Sequence, residues 1–323
     1  MTDSAYTQAG VNIDAKMDII SRIKRAVDST HGPEVLAGVG AFGGLYRAGD
    51  TILVGSTDGV GTKTMVAAAA GRFRGLGHDI VNHCVNDILC QGARPLFFLD
   101  YVASSKLAPD TIVDLVEGIA EACRAAGCAL LGGETAEMPG VYQSSELDVV
   151  GTIVGLVEPG MLLPTDTIRP GDVLIGLPSS GAHTNGYSLI RKAFENVPLA
   201  THFDGIGILG DALLAPHRCY LPEIASLRKT THVKALAHIT GGGFYDNIPR
   251  ILPSGVGVTI DRGTWTIPPL FALIQQRMGV SDAEMYRVFN MGIGMVVIVD
   301  PAEVPSDTQL IGRVVTGQGV TVA

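Results

Sequence analysis

Nowhere does the 323-residue chain run through about 18 consecutive apolar residues, the length a membrane-spanning helix needs. Low-complexity stretches are absent, and Met1-Thr-Asp-Ser-Ala-Tyr-Thr-Gln lacks the basic and apolar regions of a secretory leader. A cytoplasmic location without a membrane partner is expected. Basic residues are short: 23 Lys and Arg face 32 Asp and Glu, a net charge of −9, with no basic stripe to neutralise a phosphate backbone. Nucleic acid is therefore excluded as a partner. A phosphorylated small molecule is not, because bound Mg²⁺ reverses the sign of the local field. The five cysteines (Cys84, Cys90, Cys123, Cys128 and Cys219) are odd in number and form no CxxC pair. They read as buried reduced thiols rather than as zinc ligands or a redox couple. A GxxxxGK[ST] phosphate loop is missing as well, since Lys63 lies two places after Gly61.

Glycine is what the chain has in excess. Its 41 glycines cluster in short loops, against an ordinary background of 46% hydrophobic and 17% charged residues. Three stretches carry acids: Gly55-Ser-Thr-Asp-Gly-Val-Gly-Thr-Lys63, Val85-Asn-Asp87, and Gly132-Gly-Glu-Thr-Ala-Glu-Met-Pro-Gly140. Glycine lets backbone approach a ligand closely. Carboxylates reach phosphates through Mg²⁺. An ATP-using enzyme without a standard phosphate loop is the first reading, with Asp58, Asp87 and Glu134 around one Mg²⁺.

Hydrophobic periodicity predicts helices over 14–29, 63–71, 78–91 and 110–126, and strands at 51–54, 95–101, 128–131 and 149–157. The Asp58 loop should follow the first strand, and Glu134 should follow a strand end through Gly132 and Gly133. Pro159-Gly160 and Arg169-Pro-Gly171 bracket the best boundary, giving domains 1–168 and 169–323. Strands are expected again at 172–177, 236–238, 255–260 and 294–299, with a helix over 187–196. The class is a two-domain α+β or α/β protein: a sheet-plus-helices domain, then an α/β domain with a mixed sheet.

Gly38-Val-Gly-Ala-Phe-Gly43 matches GxGxxG, but a helix precedes it and a strand follows, the reverse of a dinucleotide fingerprint. A glycine flap over a nucleotide, closed by Phe42, and a plain surface loop both fit. On the 78–91 helix, Asp79, His83, Asn86 and Cys90 share one face beside Asp87, opposite a broad apolar side. So polar a strip should face a site, an interface or solvent. Ser179-Ser-Gly and Thr240-Gly-Gly-Gly243 each present bare N–H groups at an expected helix start, with His183 and His238 nearby. Both read as anion-binding turns. Asn290-Met-Gly-Ile-Gly-Met295 reads as a third wall or a tight strand entry, and His202, His217 and His232 as surface residues.

These strings stand in the order found in the phosphoribosylformylglycinamidine cyclo-ligase (aminoimidazole ribonucleotide synthetase) family, which the chain resembles over nearly its whole length. They include Thr57-Asp-Gly-Val-Gly-Thr-Lys63, Gly92-Ala-Arg-Pro-Leu-Phe-Phe-Leu-Asp-Tyr101 and the Gly132–Gly140 stretch. Ser179-Ser-Gly-Ala-His-Thr-Asn-Gly-Tyr-Ser-Leu189, His238-Ile-Thr-Gly-Gly-Gly-Phe244 and Glu284-Met-Tyr-Arg-Val-Phe-Asn290 continue the match. The resemblance implies ATP-dependent closure of formylglycinamidine ribonucleotide to aminoimidazole ribonucleotide through an iminophosphate. It also implies a homodimer whose N-terminal sheets meet in a barrel-like interface.

Carried over by position, Asp58, Asp87 and Glu134 would hold Mg²⁺ and the triphosphate, Lys63 and Lys24 would contact phosphate, and Gly38, Gly40, Phe42 and Gly43 would cover the nucleotide. His183, Asn185, Thr240, Gly241, Gly242 and Gly243 would hold the ribonucleotide. His238 would act as acid or base, or orient the substrate, with Lys63 and Asp87 beside the reacting groups. Sister enzymes of the same architecture are the alternatives, thiamine-monophosphate kinase and selenophosphate synthetase among them. The latter normally carries a reactive Cys near its N-terminus, whereas no Cys precedes Cys84 here.

Overall fold

The computed structural model describes residues 5–144 and 146–323, with the side chains of Asp14, Lys16 and Met17 outside that set. Residues 1–4 of the stretch read for a leader, and Ser145, lie outside the described residues. A short helix α1 (Ala5–Gln8) leads to α2 (Ile13–Asp28), whose N-cap Asn12 accepts from the Ala15 N–H. Then come β1 (Val35–Ala37), β2 (Gly44–Ala48), β3 (Thr51–Gly59), α3 (Lys63–Ala70), α4 (Arg74–Leu89), β4 (Arg94–Ser104), α5 (Pro109–Ala126), β5 (Ala129–Glu137) and β6 (Leu147–Val157). The strands form one sheet in the order β1-β2-β3-β6-β4-β5, antiparallel throughout except for β4 beside β5.

Strand β6 alternates along its length, and its inward face shows why. Leu147, Val149 and Ile153 are buried there, while Gly151 and Gly155 leave room for Phe98, Ile80 and Ile88. Helices α4 and α5 cover that face. They cross closely because a Cβ on Gly77 would meet the α5 backbone and one on Gly118 would meet Arg74. Gly75-Leu-Gly77, expected to separate two helices, therefore lies inside α4: close packing outweighs the roughly 1 kcal/mol a helical glycine costs. The sheet's other face carries Phe97, Leu99 and Tyr101 of β4 and Leu131 of β5, with Leu99 37% and Leu131 64% exposed. Helix α2 likewise buries none of its described side chains, and Ile19 and Ile23 stand exposed.

The second half contains β7 (Val173–Pro178), α6 (Tyr187–Ala193), β8 (His202–Phe203), β9 (Gly207–Ile208), α7 (Leu209–Leu214), α8 (Leu221–Leu227), β10 (Val233–His238) and α9 (Gly243–Asn247). It continues with β11 (Val256–Ile260), α10 (Pro269–Met278), α11 (Asp282–Val288), β12 (Ile293–Val299), β13 (Leu310–Thr316) and β14 (Gly319–Val322). The sheet order is β10-β12-β7-β13-β11-β14, with β11 and β14 its parallel pair, so both sheets are mixed. Strand β12 is buried along its whole length. Among the described residues, no helix is long and apolar enough to cross a membrane.

Candidate active site at the seam between the two sheets

The polar strip of α4 faces the second half of the chain. Residues 215–220 run across it without regular structure, and strip side chains satisfy their backbone groups. Asp79 Oδ1 accepts the His217 N–H at 2.7 Å, Asn82 Nδ2 donates to the His217 carbonyl at 2.7 Å, and Asn86 bridges the Arg218 carbonyl and the Tyr220 N–H. The spacing 79, 82, 86 is one helical face, so α4 is a clasp for the opposite half.

On the same helix His83 and Asp87 meet residues from both halves. His83 Nε2 lies 2.9 Å from Asp58 Oδ2 and 3.9 Å from Asp87 Oδ2, and its Nδ1 lies 2.9 Å from Thr184 Oγ1. Burial pulls this imidazole's pKa down, but Asp58, then Asp87 and Asp79, outweigh it and carry it up to about 9. Protonated His83 is thus the counter-ion of two carboxylates. Asp87 also accepts from Ser56 Oγ at 3.2 Å and, through Oδ1, from His238 Nδ1 at 2.8 Å.

His238 Nε2 in turn meets His217 Nε2 at 2.9 Å, and the His183 ring stacks on His217 with centroids 3.9 Å apart. Burial lowers the pKa of His183, His217 and His238 below the ordinary histidine value, His183 and His217 furthest, so these three are neutral. His183 adopts φ +57°, an unusual backbone for a residue with a side chain. Gly294 leaves the space that its ring and Tyr220 occupy.

Several sequence expectations change. His217, read as a surface residue, is buried, because the 215–220 segment presses it against α4. Local sequence carries no signal for that. Asp58 lies within β3 rather than in a loop after it, its Oδ1 bonded to the Gly59 N–H. Gly132, Gly133 and Glu134 lie within β5 rather than past a strand end, because pairing with β4 continues to Glu137. Across the sheet Asp58 aligns with Gly151, then Asp100, then Gly133. Three strand spacings, roughly 14 Å, therefore separate Glu134 from the Asp58–Asp87 cluster of its own chain. Lys63 is fully buried: Nζ bonds Asp79 Oδ1 and the Ala215 carbonyl, each at 2.8 Å. Lys24 stays on exposed α2, paired with Asp28 at 2.6 Å.

Phe42 is not a free flap tip. Its ring is buried under the Arg250 guanidinium, 5.0 Å away, and its carbonyl accepts from Ser56 Oγ. Gly38, Gly40 and Gly43 flank it, and Gly43 packs where a Cβ would strike Val54. Asn185 and Gly241 come together: a Cβ on Gly241 would lie 3.1 Å from Asn185 Oδ1. Asn247 holds the Thr240–Gly243 turn through the Thr240, Gly241 and Gly243 carbonyls. Gly242 and Gly243 take φ +96° and +58°. Helices α6 and α9 span seven and five residues, too short for a strong N-terminal dipole at either turn. Asn290 braces the Ser179–Gly181 turn, which borders a cavity of about 290 Å³ also lined by Pro268, Pro269 and Leu270.

Two carboxylates meeting at one seam suit a nucleotide held through a divalent cation. Residues 40–157 match the family model described as AIR synthase related protein, N-terminal domain, and residues 169–323 match the corresponding C-terminal domain. The fold agrees: the solved structure of AaThiL complexed with AMPPCP and TMP has a TM-score of 0.68 at 17% identity, covering 97% of this chain and 95% of its own. Hydrogenase maturation protein HypE in complex with ATP has a TM-score of 0.61 at 19% identity, covering 88% and 82%. The class is thus the two-domain AIR synthase related proteins.

Within that class, phosphoribosylformylglycinamidine cyclo-ligase of Shouchella clausii (strain KSM-K16) is 46% identical over 99% of this chain and 98% of its own length. The protein of that name from Nitrosospira multiformis is 50% identical over 95% and 89%. The chain belongs to the phosphoribosylformylglycinamidine cyclo-ligase family.

Proposed function

We infer that this chain closes the imidazole ring of aminoimidazole ribonucleotide from formylglycinamidine ribonucleotide, using ATP, in purine biosynthesis. Family membership at 46–50% identity over nearly the full length supports the reaction. The observation that carries the site is the meeting of Asp58 and Asp87 at His83, at a seam where the Thr184 loop enters from the other half.

Asp58 and Asp87 fit Mg²⁺, which takes one or two carboxylates and completes its shell with water and substrate phosphates. Asp58 is 41% exposed and Asp87 9%, so the pair opens toward solvent on one side. Asp58 and Asp87 would hold the ion, which when bound would supply positive charge against the transferring phosphoryl group. The upward push that Asp58 and Asp87 exert on the His83 pKa reflects the negative field that a bound cation would meet there.

The formyl amide oxygen leaves poorly as hydroxide; phosphorylated by ATP, it leaves as phosphate when the amidine nitrogen attacks the same carbon. ADP and phosphate are the other products. Both reacting groups belong to one molecule, so positioning by the protein supplies much of the rate. We assign that positioning to His183, Asn185 and the Thr240–Gly243 turn, and cover of the nucleotide to the loop around Phe42. Lys63 is assigned to the seam rather than to a phosphate, given its complete burial against Asp79.

The bare sheet face, with Leu99 and Leu131 exposed, supports a homodimer formed face to face. Such a dimer would return an edge-strand acid such as Glu134 to a site on the neighbouring protomer. A cytoplasmic location fits the reaction. Substrate labelled with ¹⁸O at the formyl oxygen tests the chemistry: the label is expected in released phosphate, and its release as water would exclude the phosphorylated intermediate.

A further inference from the structure

The hydrogen bonds around His217 fix the place of each imidazole proton. The Ser180 N–H points at His183 Nε2 at 3.2 Å, so that nitrogen accepts and His183 carries its proton on Nδ1. At the other end, His238 Nδ1 lies 2.8 Å from the Asp87 carboxylate, which only accepts. His238 is therefore protonated on Nδ1 and offers a lone pair at Nε2. His217 Nε2, 2.9 Å from that lone pair, must be the donor, and His217 keeps its own lone pair on Nδ1. A doubly protonated His238 would instead force the His217 proton onto Nδ1, a second buried donor with no acceptor beside that of His183. The Nδ1 atoms of His183 and His217 are buried without a hydrogen-bond partner among the described residues, one bearing a proton and the other a lone pair, on rings stacked face to face. The His217 and His238 donors both point toward Asp87.

His217 is itself held at both backbone groups, by Asp79 and by Asn82. Its ring is therefore aimed, not merely packed. We propose that His217 is a positioning residue that occupies the free lone pair of His238, locks that ring as an Nδ1–H donor, and so holds Asp87 oriented toward the nucleotide. His238, with both nitrogens engaged, then exchanges no proton with substrate. This rests on the reading of Asp87 as a metal and phosphate residue.

His183, His217 and His238 also lie close enough to hold a metal ion. Coordination through His183 Nδ1 would move that ring's proton to Nε2, against the Ser180 N–H donor. The hydrogen bonds favour the protonic series.

The test begins with ¹⁵N-histidine NMR of the full chain without ligands, the signals assigned with His217→Gln and His238→Gln. His238 protonated on Nδ1 and His217 on Nε2 are expected; the opposite pair of tautomers overturns the proposal whatever the activity. Kinetics follow. His217→Leu should lower kcat about tenfold or more, the usual effect of losing a group that orients a metal ligand. KM for formylglycinamidine ribonucleotide should stay within about threefold. His217→Gln, which keeps an N–H donor at that place, should recover most of the loss; equal losses in Leu and Gln would reduce the role to packing and overturn it. Expected tautomers with Asp87→Asn inactive and His217→Leu fully active would overturn the positioning role alone. Full activity in both would overturn the reading of Asp87 as well. A Co²⁺ titration giving a ligand-field spectrum that His217→Leu abolishes would establish a metal site instead.

Discussion

Lys63 and Asp79 form a fully buried pair, with Nζ 2.8 Å from each carboxylate oxygen, and each also binds the 215–217 segment of the other half of the chain. Burial pushes the Lys63 pKa down and the Asp79 pKa up, and their attraction for each other opposes both shifts. Removing one partner strands the other. Lys63→Met should therefore cost about 3–5 kcal/mol in denaturant unfolding. Lys63→Met with Asp79→Asn should recover a large part, because the amide oxygen introduced at position 79 still accepts from the His217 N–H. Normal stability with failed nucleotide binding in Lys63→Met would return Lys63 to phosphate contact.

Asp87 separates chemistry from folding. Asp87→Asn keeps an oxygen acceptor for His238 Nδ1, turns the atom facing Ser56 Oγ into an N–H donor that the hydroxyl can accept, and loses the negative charge. Turnover should fall about 100-fold or more, the scale of a lost electrostatic contribution to catalysis, while melting shifts little. Near-normal turnover would remove Asp87 from the metal site.

His183 and His217 have folded pKa values pulled well below the ordinary value by burial, then by the neighbouring histidines and Lys63. The unfolded chain takes up these protons below about pH 6.5 while the folded chain does not. Their contribution is thus neutral above that pH and increasingly destabilising below it. Unfolding free energy measured from pH 7.5 to 5 should fall on the acid side. His217→Gln should lessen the slope by up to about 1.4 kcal/mol per pH unit, one proton's worth. An unchanged slope would place His217 in water.

Two packing predictions test the fold. Gly77→Ala sets a Cβ into the α5 backbone at Leu115 and Ile119, so a loss of about 1–3 kcal/mol or more is expected in thermal or denaturant unfolding. Leu131→Asp places a charge on the bare sheet face. It should convert a dimer to monomers in sedimentation without unfolding the chain, and a wild-type monomer would refute the face-to-face assembly.

Much of this arrangement was legible from periodicity. The strip Asp79, His83, Asn86 was readable on α4 because helical spacing alone puts it on one side, away from Ile80, Cys84 and Ile88. Gly75 and Gly77 were misleading, since a glycine that breaks a helix and one that lets a neighbouring helix approach look alike without the partner. Glu134 looked close to Asp58 because sequence shows glycine beside acid, whereas sheet order puts two strands between theirs. His217 had no local mark at all: only the fold of a distant segment over α4 brings it to His238.

The most direct test of the whole account follows ADP and aminoimidazole ribonucleotide together, from the purified chain supplied with ATP, Mg²⁺ and formylglycinamidine ribonucleotide. Equal amounts of the two, both dependent on substrate, are the predicted result. ADP formed without the imidazole product would contradict the assigned reaction.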